Sequence, residues 1–477
     1  MALDEQKVAT IVEQVIERLQ RERVLGPRPE AAPAIVSSVR ETGRNGVFPD
    51  VDAAVNAARQ AHERLVSVSL EVRAGAIEAM RRVTLAHLED LARMAVEETG
   101  LGRVSDKIVK NRLAAEKTPG LEILAPRAYT GDHGLTLVEH APYGVICSIT
   151  PCTNATETVI NNAIGMIAGG NAVVLNAHPA AKRTTVQYVR MLNQAMVEAG
   201  APDNLICCIP EPTIQSAQAL MNHKGVQLVV VTGGPAVVKA AMSTGKKCIA
   251  AGPGNPPVVV DETAKLDQAA RDIIAGASLD NNIVCIVEKE IIVVEAVADR
   301  LRQELVRAGA YFIRDALVPK VTQTVIDGEH PHKNFVGKNV RVILREVGVD
   351  VPDEVRLAFC EVDESHPLVQ VEQLLPVIPM VRVRNVEEAI ATAVRVEHGF
   401  RHTAVMHSLN IEHLHRFARA ANCSIFVKNA PSSAGLGLNG EGYTSWTIAS
   451  PTGEGLTTAL NFTRERRCTL KDYFRIV

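Results

Sequence analysis

From about residue 144 onward, short runs of β-branched and aliphatic residues alternate with longer stretches of helical pattern. The runs fall at 145–149, 173–175, 205–209 and 226–231. They recur every roughly 25–30 residues, the length of a strand with its crossover helix, and so predict a parallel sheet covered by helices. A second series runs from Val258 through 291–294, 377–381, 403–406 and 424–427. Two successive α/β lobes with a cleft between them is the economical reading. Residues 50–118 follow a helical pattern instead, with Ser69 and Ser105 placed to cap helix starts and Gly100 placed to end one. Residues 134–140 (GLTLVEH) alternate as a lone strand does, and so does the C-terminal tail. Both are expected to be edge elements that pair with another subunit.

The N-terminus stands apart. Val8, Ile11, Val12, Val15, Ile16 and Leu19 form one apolar stripe at helical spacing, with Asp4 placed as a cap. Residues 26–33 (GPRPEAAP) follow, a stretch that no helix crosses and that reads as a linker. A short amphipathic helix on a tether either packs on its own protein or lays its apolar face into a groove on another.

Composition narrows the function. A chain of 477 residues is too long for one core, so two or three domains are expected. The 51 basic and 54 acidic side chains nearly cancel, which argues against a nucleic-acid partner. No apolar run is long enough to span a bilayer, and no secretory signal opens the chain. The nine cysteines include no CxxC pair and fit reduced thiols in a cytosol-like compartment.

Several residues could carry chemistry. Thr232-Gly233-Gly234-Pro235 follows a buried-strand run and leads into a helical stretch, a turn where backbone N–H groups can approach a phosphate. Pro235 suits the first helical position. Without a GxGxxG pattern, the same turn can also be bare glycine punctuation. Cys285 lies between a helix and the strand beginning near Glu290, where a loop thiol can face a cleft. Read alone, it is more readily one inert buried cysteine among nine. Asn154 follows a strand end, where an amide could donate to an oxyanion or simply cap a turn. Gly252-Pro-Gly-Asn255 is a further tight turn. His398, His402 and His407 cluster without the carboxylates or thiolates of a metal set. Glu288 and Lys289 read as a solvated ion pair.

These pieces together resemble the aldehyde dehydrogenase superfamily. They are most similar to its coenzyme-A-acylating branch, the propionaldehyde and acetaldehyde dehydrogenases of bacterial microcompartments. The likeness runs from about residue 36 to Val477. It rests on EHAPYGVICSITPCTNATET (139–158), VTGGPAVVKAA (231–241), AAGPGNPP (250–257), DNNIVCIVEK (280–289), EHGFRHTAVMHS (397–408) and GLGLNGEGYTSWTIASPTGEGLT (435–457), in that order.

The resemblance implies two Rossmann-like α/β lobes plus a small β oligomerisation element. Residues 36–125 and 144–251 would form the NAD-binding domain and 252–450 the catalytic domain. Residues 126–143 and 451–477 would join subunits in a homodimer or homotetramer. Residues 1–25 would be a targeting helix for a shell protein and 26–35 its tether, in a microcompartment lumen. Cys285 matches the nucleophile. Asn154 matches the amide that, with the Cys285 N–H, holds the oxyanion. Thr232, Gly233 and Gly234 match the loop beside the NAD pyrophosphate, and Glu372 in EQLLP matches the carboxylate on the nicotinamide ribose. Thr150 and Pro151 fall on the nicotinamide side, while Asn176, His178 and Pro179 fall by the adenosine ribose. The aldehyde pocket is expected around Cys285 and the TSWTIAS segment.

One departure bears on the chemistry. Hydrolytic members carry a water-activating glutamate six residues before the proline of their ELGGKSP block, and here that position is Ala251. A thioester at Cys285 is therefore expected to await a thiol, coenzyme A, rather than water. The rival readings are an acyl-phosphate or non-acylating oxidoreductase, an inactive shell-associated scaffold, and a cysteine hydrolase using His402 or His407.

Overall fold

The computed structural model describes residues 45–476. The helix expected over 1–25 and the linker over 26–35 lie outside them. Helices lead the described chain. Asp50 accepts from Ala53 N at 2.8 Å to open Val51–Leu65, and Ser69 opens Leu70–Ala86. Gly100, at φ 68°, closes Leu88–Thr99. The expectation for Ser105 fails: the next helix, Val104–Lys117, begins before it, and Arg103 holds the cap position. The reason is tertiary. Arg103 N donates to the Asp280 carboxylate at 2.8 Å, so a residue far along the chain sets this helix start.

The first series of runs forms a five-stranded, all-parallel sheet. Its spatial order is Ile206–Cys208, Ala172–Ala177, Val145–Thr150, Val226–Thr232, Lys247–Ala251. Ala172–Ala177 and Val145–Thr150 are buried throughout, as strands covered on both faces must be. The chain fills one side of Val145–Thr150 and then crosses to the other. This creates a switch point between that strand and Val226–Thr232.

The second series builds a seven-stranded parallel sheet centred on Glu290–Val294 and Pro257–Val260. Val377–Val383, Ala358–Glu361 and Tyr311–Phe312 extend one side; Thr403–His407 and Ile425–Lys428 extend the other. One continuous apolar core runs beneath both sheets, and Val386–Val396 and Ile411–Ala421 cover the far face of the second over a separate cluster.

The alternating segments differ from expectation in their first partner. Gly134–Pro142 pairs with the C-terminal strand Thr463–Lys471 of the same chain, antiparallel, from Gly134 opposite Lys471 to Pro142 opposite Thr463. Arg127–Gly131 flanks the other side. Two alternating strands satisfy each other's backbone groups within one chain, and Thr463–Lys471 is left as an exposed edge. Among the described residues, no helix is long and apolar enough to cross a membrane.

Candidate active site

The eleven residues to which the resemblance gives a role in the site line one cleft of about 530 Å³. Trp446 and Ile448 of the TSWTIAS segment line it too. One wall comes from the five-stranded sheet. Thr150 ends its strand and runs into Pro151 and Asn154. Asn176 sits near the end of Ala172–Ala177, before His178 and Pro179. Thr232 ends Val226–Thr232, before Gly233 and Gly234. The other wall carries Cys285 and Glu372.

The glycine turn is built for close approach. Gly234 is the N-cap of Pro235–Met242 and carries no capping side chain, so the first helical N–H groups are unspent. A β-carbon on Gly234 meets nothing within 4 Å, whereas one on Gly233 presses to 2.8 Å from Val237. A phosphate can therefore reach the backbone at Gly234 without obstruction. Thr232 Oγ1 lies 3.0 Å from Thr447 Oγ1, which donates to Asn162 Oδ1 at 2.9 Å. Trp446 N donates to Asn161 Oδ1 at 2.9 Å, fixing the indole against the cleft. Asn176 Oδ1 accepts from Ser216 Oγ at 2.6 Å. His178 Nδ1 accepts from Ala180 N at 3.1 Å, and burial holds this imidazole below its ordinary pKa.

Around the thiol, polar groups remain unspent. Asn154 is buried, its Oδ1 has no partner, and its Nδ2 makes only a 3.4 Å contact with Thr153 Oγ1. Thr150 Oγ1 is also unpartnered. Such orphaned groups are costly unless a ligand meets them. Cys285 is pushed up to about 12 by burial and by the Glu372 carboxylate, against the pull of Lys289 and Lys110. Burial likewise raises Glu372, while Lys289 and the Gly254 N–H draw it back. Glu372 is, among the described residues, the sole carboxylate lining the cleft, and Ala251 lines it too.

Glu288 and Lys289 are not a solvated pair; both are 0 % exposed. Glu288 accepts from Ser432 N at 2.8 Å and Ser432 Oγ at 2.7 Å, and burial raises it to about 7. Lys289 Nζ donates to the Asn282 carbonyl and to Asn282 Oδ1, both at 2.7 Å, and burial lowers it to about 8. The segment enters a fully buried strand, a context that adjacent opposite charges do not announce. His402 and His407 do not line the cleft, and burial pushes both down to about 4. Among the described residues, no group of three or more His, Cys, Asp or Glu could hold a metal ion.

The structure adds residues that sequence reasoning missed. Cys152 shares the cleft with Cys285, and its thiol is also raised by burial. Ile283, Leu374, Ile214 and Val237 give the cleft apolar lining. A single apolar side chain in a loop carries no signal that separates pocket from core.

One cleft, lined by a cysteine thiol and by a glycine strand-to-helix turn and set between two parallel sheets, has the parts to hold a dinucleotide beside a thiol. The chain belongs to the aldehyde dehydrogenase family, whose model matches residues 32–327. It is 48% identical to the acetylating acetaldehyde dehydrogenase EutE of Salmonella typhimurium over 472 residues, which is 98% of this chain and 100% of that one. A propionaldehyde dehydrogenase of Rhodopseudomonas palustris, solved with bound coenzyme A and an acylated cysteine, superposes with a TM-score of 0.90. It is 47% identical and covers 91% of this chain and 100% of its own. A propionaldehyde dehydrogenase from the fucose utilisation bacterial microcompartment of Clostridium phytofermentans superposes with a TM-score of 0.89. It is 46% identical over 91% of this chain and 100% of its own.

Proposed function

We propose that this chain oxidises a short aliphatic aldehyde, propionaldehyde first and acetaldehyde second, and passes the acyl group from Cys285 to coenzyme A. The carrying observation is the alanine at 251 in a cleft whose sole carboxylate, among the described residues, is Glu372. The likeness to relatives named for acylation supports the same reading.

The residues divide the work. Cys285 Sγ attacks the aldehyde carbonyl carbon. The oxygen takes up charge against Asn154 Nδ2 and the Cys285 N–H, an interaction worth about 3–4 kcal/mol in the transition state. NAD bound in the cleft supplies the hydride acceptor. In this reading Thr232, Gly233 and Gly234 cradle its pyrophosphate, Glu372 holds the nicotinamide ribose, and Thr150 and Pro151 flank the ring. Asn176, His178 and Pro179 meet the adenosine ribose. Cys285 is left as a thioester. With a methyl group at 251, no side chain there removes a proton from water, so the acyl group waits for the coenzyme A thiol.

The test is NADH formation from short aldehydes with coenzyme A present and absent. A burst of one equivalent per active site without it, and sustained turnover with it, is expected. Sustained turnover to free acid without coenzyme A overturns the reading.

The reading extends to assembly. Residues 1–25 dock on a shell protein of a microcompartment, and the sheet of Arg127–Gly131, Gly134–Pro142 and Thr463–Lys471 joins subunits in a dimer or tetramer. Deleting residues 1–30 is expected to abolish shell association and spare activity; unchanged association refutes the docking role.

A further inference from the structure

Behind the cleft lies a cluster of four buried charges that no step above uses. Lys107 and Lys110 stand on one face of Val104–Lys117, each 1 % exposed by side chain. Lys107 Nζ donates to Asp280 Oδ2 at 2.9 Å and to the Thr153 carbonyl at 3.1 Å. Lys110 Nζ donates to the same Asp280 Oδ2 at 2.6 Å and lies 3.1 Å from Glu157 Oε1. Asp280 and Glu157 are 0 % exposed. Lys110 also sits 5.4 Å from the centroid of Trp446, an indole of the cleft wall.

The partners matter because of what they adjoin. Thr153 precedes Asn154, and Glu157 opens the helix that follows it. Asp280 begins three successive residues in the left-handed region, at φ 49°, 55° and 67° for Asp280, Asn281 and Asn282. Such a run is strained for residues with side chains and persists only when its surroundings fix it. Here every member is clamped. Arg103 N donates to Asp280 Oδ1 at 2.8 Å, Arg103 Nε to Asn281 Oδ1 at 2.8 Å, and Lys289 to Asn282. The run delivers the chain to Cys285. One helix face therefore grips both the loop that carries the thiol and the loop that carries the amide.

We propose that Lys107 and Lys110 are positioning residues, which hold the Asp280–Cys285 loop and the Thr153–Asn154 loop in register so that thiol and oxyanion donor address the same carbonyl. This rests on the reading of Cys285 and Asn154 as nucleophile and oxyanion donor. Two opposite charges can be removed together without stranding either, because Lys107→Met with Asp280→Asn leaves Lys110 paired with Glu157.

The experiment compares wild type, Lys107→Met and Lys107→Met/Asp280→Asn. It measures single-turnover NADH formation, NAD⁺ dissociation constant and thermal unfolding. Both variants are expected to slow NADH formation by about 100-fold, with NAD⁺ affinity changed by less than about threefold. The paired variant is expected to melt close to wild type. A folded paired variant within about threefold of the wild-type rate overturns the proposal. So does failure of both variants to fold, because the cluster then holds the lobe together rather than aiming two loops. An inactive wild type fails the enzymatic reading instead, and the control separates the two.

Discussion

The two lobes meet the cleft with opposite ends of their sheets. Thr150, Ala177 and Thr232 are the carboxyl-terminal residues of their strands, so the five-stranded sheet offers turns that lead into helix starts, while Ala251 ends its strand and leads on to Pro257–Val260. Cys285 and Glu372 instead precede Glu290–Val294 and Val377–Val383, so the seven-stranded sheet offers its amino-terminal ends. The electrostatic consequence differs. Helix starts carry partial positive charge and unspent N–H groups, which suit a dinucleotide's phosphates. The amino-terminal ends of strands follow helix ends, which favour no anion. That wall imports cations, and Lys289, the Cys285 backbone N–H and then Lys110 draw the thiol back from the level to which burial and Glu372 push it. In the proposed reading, the first wall mainly binds, with backbone at the phosphates, and the second carries the reacting thiol.

The sharpest way to break this division is at the thiol. Cys285→Ala is expected to cost on the order of 10⁴-fold or more in kcat, the scale seen when a nucleophile is deleted. NAD⁺ binding, read by quenching of protein fluorescence, is expected to hold. Loss of cofactor affinity in step with activity would mean that the walls are not separable. Asn154 tests the division from the other side, since the proposed function makes it a reacting group on the wall that binds the cofactor. Asn154→Ala is expected to lower kcat by on the order of 10²–10³-fold, with the KM for NAD⁺ little changed. An effect confined to KM would return Asn154 to the binding function of its neighbours.

Much of the binding wall was legible in the sequence because its strands are β-branched and evenly spaced. The strand Lys247–Ala251 was not: Lys-Cys-Ile-Ala-Ala has one β-branched residue and is held in the sheet by backbone pairing with Val226–Thr232. The reactive wall was legible only through its resemblance to a family, since nothing local distinguishes Cys285 from eight other cysteines. Lys107 and Lys110 were invisible for a different reason. On a helix they look like solvated charges, and their shared partner Asp280 lies 173 and 170 residues away. Patterning reports which face is apolar, and a buried face that is charged falls outside it.

Ala251 carries the third and smaller test. It is 3 % exposed, ends its strand and lines the cleft. Ala251→Glu is expected to raise coenzyme-A-independent acid formation about tenfold or more by giving water a base beside the thioester. Steady NADH release without coenzyme A reads it directly. No gain, in a variant that still acylates coenzyme A, would mean that the missing carboxylate is not what protects the acyl group.

The smallest effect expected is at Glu372, where both walls act on one side chain. Its carboxylate lies close enough to the thiol to disfavour a second negative charge, ranking after burial among the causes that raise Cys285. Removing that charge lowers the thiol pKa, so the thiolate fraction at a given pH rises. Glu372→Gln is therefore expected to speed alkylation of Cys285 by iodoacetamide a few-fold near neutral pH, and to move the midpoint of the rate profile downward. The proposed contact with the nicotinamide ribose predicts the opposite sign for binding, a few-fold rise in the KM for NAD⁺. Faster alkylation with unchanged KM leaves Glu372 as an electrostatic neighbour of the thiol alone. Unchanged alkylation with raised KM leaves it to the cofactor, and the thiol's high pKa then belongs to burial.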